Sequence, residues 1–114
     1  MTRSALPASR GAHVTQTQLA VLRGMLEQQR RFRLDQLEQL QQAGPGHGAD
    51  REITQSLVAG ARAALRDVVD ALQRMRDGRY GACRRCTTPL PIERLEVLPQ
   101  VSLCMACQRA EQAG

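Results

Sequence analysis

Two proline-free stretches of equal length set the terms of this fold. Residues 15–42 and 50–77 each run for 28 residues with a single glycine apiece. Leu, Gln, Arg and Glu dominate the first, all strong helix formers. Between them "AGPGHGA", residues 43–49, places three glycines and a proline in seven positions, which no helix crosses. The second stretch has a seam at Val58, Ala61, Leu65, Val68, Leu72 and Met75, a strict three-four alternation of coiled-coil core positions. The first begins one at Leu19, Leu22 and Leu26, blurs through Gln29, Arg30 and Arg33, and resumes less regularly at Leu34, Leu37 and Leu40. At a rise of 1.5 Å per residue each helix would be about 40 Å long.

Two striped helices of matched length joined by a short breaker predict an antiparallel hairpin, an intramolecular coiled coil over residues 14–77 with its tip at 43–52. A helical bundle or an intermolecular coiled coil is the competing arrangement. Asp50 is the expected N-cap of the second helix, with Glu52 in its first turn, and Gly78 stands where a C-terminal glycine belongs. Residues 1–13 read as a flexible arm. Phe32 with Arg30, Arg31 and Arg33 forms either a contact surface or a solvated face.

Composition narrows the rest. The 114 residues include two aromatics, Phe32 and Tyr80, and no Trp, too few for a large globular core. The formal charge is +5, and all sixteen basic residues are Arg. The N-terminal segment has no apolar run, and nothing in the chain approaches a bilayer-spanning length, so a cytoplasmic protein without a membrane partner is expected.

All four cysteines lie in the last third, as Cys83-x-x-Cys86 and Cys104-x-x-Cys107 with seventeen residues between the pairs. In a reducing compartment such pairs are metal sites more often than disulfides. Zinc takes four tetrahedral ligands, thiolates match its softness, and this spacing is that of structural zinc modules. With every ligand supplied by cysteine no position remains for water, so one structural zinc and no enzymatic activity are expected. Four thiolates and one zinc lower the net charge to about +3, weak for a dedicated DNA binder. A thiol redox pair would need one CxxC in a βαβ setting, which the pattern lacks. Arg84, Arg85 and Arg94 are the basic residues of this segment placed to meet a partner, with phosphate contact by Arg84 and Arg85 as the nucleic-acid alternative. Leu95, Val97 and Leu98 are expected to pack beside the metal, and residues 104–111 to run from a knuckle into a short C-terminal helix. The fold class is therefore mainly α: a long helical hairpin followed by a four-cysteine module over residues 78–114.

"YGACRRC" followed by "PIERLEVLPQVSLCMACQ" resembles the DksA/TraR zinc-finger family. The shared features are an aromatic-glycine pair before the first cysteine, Arg94-Leu95, Pro99, the final CxxC and the seventeen-residue interval. The resemblance implies a monomeric transcription regulator that binds RNA polymerase rather than DNA, pushing its coiled-coil tip into the secondary channel to alter initiation. A zinc-stabilised adaptor on the same scaffold is the alternative. The family's tip has the form Asp-x-x-Asp-x-Ala. Here Asp50 matches the second Asp, while His47 and Glu52 occupy the other two places, making these three the expected polymerase-contacting residues. Asp67 and Gln108 stand where the resemblance places basic contacts to guanosine tetraphosphate. Thr87 replaces the glycine that usually follows the second cysteine, which predicts local backbone strain without loss of zinc.

Overall fold

The computed structural model describes residues 14–44 and 48–113, and within them four helices: α1 (Gln16–Gln42), α2 (Ala49–Arg76), α3 (Ile92–Val97) and α4 (Met105–Ala113). The expected arm at 1–13 and the tip residue His47 lie outside the described residues. α1 and α2 pack against each other along the hairpin, and the molecule measures 66 × 33 × 21 Å along its principal axes.

The ends of both helices follow from local chemistry. Thr15 opens α1 with a full capping box: its hydroxyl accepts from the Gln18 amide at 3.0 Å, and the Gln18 side chain accepts from the Thr15 amide at 2.9 Å. Gly44 closes α1 at φ +76°, its amide donating to the Gln41 carbonyl. Gly78, at φ +73°, closes α2 in a Schellman arrangement: the Gly78 amide donates to Met75 and the Arg79 amide to Arg74. Asp50 is not the N-cap. That position falls to Gly48, which has no side chain to cap with, and Asp50 sits with Glu52 inside the first turn. There both carboxylates face the positive end of the helix dipole, as Arg74 and Arg76 face the negative end.

The apolar seam is strong at one end only. Leu22 and Leu26 of α1 are fully buried against Val68, Ala71, Leu72 and Met75 of α2. Towards the tip Val58, Leu65, Leu37 and Leu40 are half-buried. Leu34, expected in the seam, is instead 45% exposed. The three-four spacing begun by Leu19, Leu22 and Leu26 continues through Gln29, Arg33 and Gln36 to Leu40, so polar side chains occupy the interface where the pattern had blurred. Arg33 and Gln36 are joined there by a 2.9 Å hydrogen bond.

Candidate metal centre and hairpin tip

The metal-binding segment is built at the strong end of the hairpin. The chain leaves α2 at Gly78 and passes through Tyr80, whose buried hydroxyl donates to the Pro99 carbonyl at 2.9 Å. Burial pushes the Tyr80 pKa up to about 12. Leu90, Leu95 and Leu103 are buried in one cluster with Leu22, Leu26 and the base of α2, so the segment and the hairpin share a core. Of the three residues expected beside the cysteines, Leu95 alone is inside. Val97 is 75% and Leu98 44% exposed, because α3 turns the position two residues past Leu95 to its opposite face.

Each CxxC pair sits on a tight backbone turn. In the first, the Thr87 amide donates to the Cys83 carbonyl at 2.9 Å, the Cys83 amide to Thr88 at 2.8 Å, and an isolated antiparallel bridge joins Ala82 to Pro89. In the second, Cys104 precedes α4, and its sulfur accepts from the Cys107 amide at 3.4 Å. The Arg84 amide donates to the Ser102 carbonyl at 2.8 Å and ties the two turns together. The four sulfur atoms all lie within 4.8 Å of one another, and Cys86 Sγ is 3.7 Å from Cys104 Sγ. Tetrahedral zinc with bonds of about 2.3 Å requires sulfurs about 3.8 Å apart, so the residues fit the ion.

The thiols are electrostatically uneven. Burial opposes ionisation of Cys83, but backbone amides of Cys104, Cys86 and Arg85 outweigh it and bring its pKa down to about 6. The Thr88 hydroxyl and amide hold Cys86 below the ordinary thiol value. Cys107 rises to about 12, chiefly through its hydrogen bond with the Cys104 sulfur. A divalent cation relieves that crowding, and Cys83, Cys86, Cys104 and Cys107 are positioned to bind one metal ion.

Residues 78–113 match the model of the prokaryotic DksA/TraR C4-type zinc finger. That match covers the finger segment, about a third of the chain. The finger's ion is accordingly one structural zinc in a closed four-sulfur site. The chain is 37% identical over 59 residues to general stress protein 16O of Bacillus subtilis, a match that spans 52% of this chain and 36% of that protein's length. Its fold is similar to that of the transcription factor DksA2 of Pseudomonas aeruginosa, with a TM-score of 0.72 at 24% identity over 90% of this chain and 88% of the other. No helix among the described residues is long and apolar enough to cross a membrane.

Two of the three basic residues singled out in the finger are engaged within it. Arg84 Nε donates to the Ser102 hydroxyl at 3.1 Å, and its Nη2 lies 3.6 Å from the Glu111 carboxylate. Arg94 donates to Gln108 at 2.6 Å and to the Met105 sulfur, joining α3 to α4. Arg85 is exposed. Asp50 and Glu52 are also exposed, at the far end of the hairpin from the cysteines. Phe32, Arg30 and Arg31 are exposed, and the Arg33 guanidinium sits 5.2 Å from the Phe32 ring centre. Arg74 had no signature in the sequence, because nothing in the seam pattern announced that a second surface would cover α2 at its base.

Proposed function

We propose that this chain is a non-enzymatic transcription regulator that binds RNA polymerase directly and inserts its hairpin tip into the secondary channel to modulate initiation. The observation that carries this reading is the fold shared with transcription factor DksA2 over 90% of the chain, rod and finger together. The DksA/TraR finger at residues 78–113 supports it. In this reading the finger is the base that sets the direction of the rod, and the tip is the probe. Asp50 and Glu52, exposed in the first turn of α2, are the tip carboxylates, with His47 beside them in sequence. Arg85, exposed within the first CxxC beside the Arg84 that pairs with Glu111, is the basic residue best placed for a polymerase contact at the base.

Binding to purified core RNA polymerase tests the proposal. The chain is expected to co-migrate with the enzyme at micromolar concentration in a native gel. The double change Asp50→Asn, Glu52→Gln should retain binding while altering transcript yield. Absence of binding at that concentration would overturn the reading. Retention on duplex DNA that weakens steeply with salt would replace it with the nucleic-acid alternative.

A further inference from the structure

Among the described residues Arg74 is the charged side chain that the fold buries, with 8% of its surface exposed. It stands near the end of α2 and reaches out of the hairpin, Nη2 donating to the Val101 carbonyl at 3.4 Å, the long limit of a hydrogen bond. Its Nε is buried without a partner. No neighbouring carboxylate among the described residues forms an ion pair with it: Asp77 takes Arg79 at 3.0 Å, Glu111 takes Arg84 at 3.6 Å, and Asp70, one turn earlier on α2, attracts Arg74 without pairing with it. A buried cation without a counter-charge is strongly destabilising, so the fold must supply one.

The place to find it is a cleft of about 670 Å³ between the end of α2 and the first CxxC turn. Arg74, Arg79 and Arg84 line it with Asp77 as the sole carboxylate, and Cys83 and Cys86 belong to the same wall. Three guanidinium groups against Asp77 and the Glu111 that reaches Arg84 leave an excess of one positive charge. A zinc ion held by four thiolates has a net charge of two negative. We infer that Arg74 is the buried counter-charge of the zinc centre, the residue through which metal binding and the docking of the finger on the hairpin are coupled. Arg79 and Arg84 contribute from the exposed side of the cleft. In the folded arrangement, leaving aside the ion's charge, burial leads the effects on Arg74, and with the crowding of Arg84 and Arg79 it holds the pKa below the ordinary arginine value against the pull of Asp70 and Tyr80. The bound metal reverses that penalty.

Zinc affinity of the full chain, measured by competition with a chromophoric chelator, tests this together with thermal melting of the metal-free chain. Arg74→Met keeps most of the side-chain volume and removes the charge. It is expected to weaken zinc binding about tenfold or more, the range for groups that act on a metal through its ligands. The metal-free melting temperature should stay level, because without zinc the finger no longer covers Arg74. Arg74→Lys should restore most of the affinity. Arg79→Gln, at a side chain 69% exposed and so safe for folding, should lower affinity by less in the same direction. Parent-like zinc affinity in Arg74→Met would overturn the inference. So would a loss matched by an equal fall in the metal-free melt with no rescue by lysine, or an unchanged affinity in Arg79→Gln.

Discussion

Thr87 is the one non-glycine residue with a positive φ among those described, at +65°. A β-branched side chain in the left-handed region costs about 1–2 kcal/mol. The turn tolerates it because the Thr87 amide closes onto the Cys83 carbonyl while Cys83 and Cys86, both before it, are positioned to be held by the metal. Thr87→Gly is therefore expected to raise the stability of the zinc-loaded protein by about 1 kcal/mol, after allowance for the greater freedom of glycine in the unfolded chain. Chemical denaturation of the loaded protein measures it. Tyr80 gives a pH-dependent counterpart. Its folded pKa lies above the unfolded value of 10.0, so its contribution is fully present below about pH 10 and is lost as pH rises towards about 12. Tyr80→Phe should cost about 1 kcal/mol at neutral pH through the lost bond to Pro99 and flatten that alkaline decline in a series of melts. The strain at Thr87 was legible in the sequence, because a threonine stood where a CxxC turn needs glycine. The Tyr80–Pro99 bond was not, since it spans nineteen residues with no local pattern to announce it.

At the scale of the helices, stability is graded along the hairpin. Leu26 is completely buried at the base and Leu40 half-buried near the tip. Leu26→Ala should cost about 2–5 kcal/mol, whereas Leu40→Ala should cost under about 1 kcal/mol, both read from thermal melts. Between them the seam runs through Gln29, Arg33 and Gln36, and polar residues at such positions set register at the expense of stability. Both hairpin helices and their glycine stops were legible, because apolar period and helix breakers are local signals. The course of the α1 seam was not. Reading apolar residues alone shifted it onto exposed Leu34, whereas the backbone continues the heptad through half-buried polar side chains. The cap of α2 was misplaced for a related reason: Asp50 is a good cap by type, yet the helix begins at Ala49 and uses the carboxylate for its dipole.

For the molecule as a whole, the zinc finger is a structural part of the rod. The core at the base is shared, with Leu90, Leu95 and Leu103 covering the same cluster as Leu22, Leu26 and Val68. Removing zinc should therefore abolish hydrogen-exchange protection across residues 78–113 and weaken it at the base of both long helices. Persistent protection in the finger after chelation would contradict a metal-dependent fold. The grouping of the four cysteines was legible from spacing alone, and their sulfurs are positioned to bind one metal ion. The cleft around Arg74 became visible only in three dimensions, when the finger folded back over a helix whose sequence showed one seam. The most direct test of the polymerase reading is where the tip goes. A photo-crosslinking residue placed at Ile53, exposed in the second turn of α2, should attach to the walls of the polymerase secondary channel in a complex with core enzyme. The same probe at Arg109, exposed on α4 at the opposite end, should attach only outside the channel. Crosslinks from Arg109 within the channel, or none there from Ile53, would contradict the account.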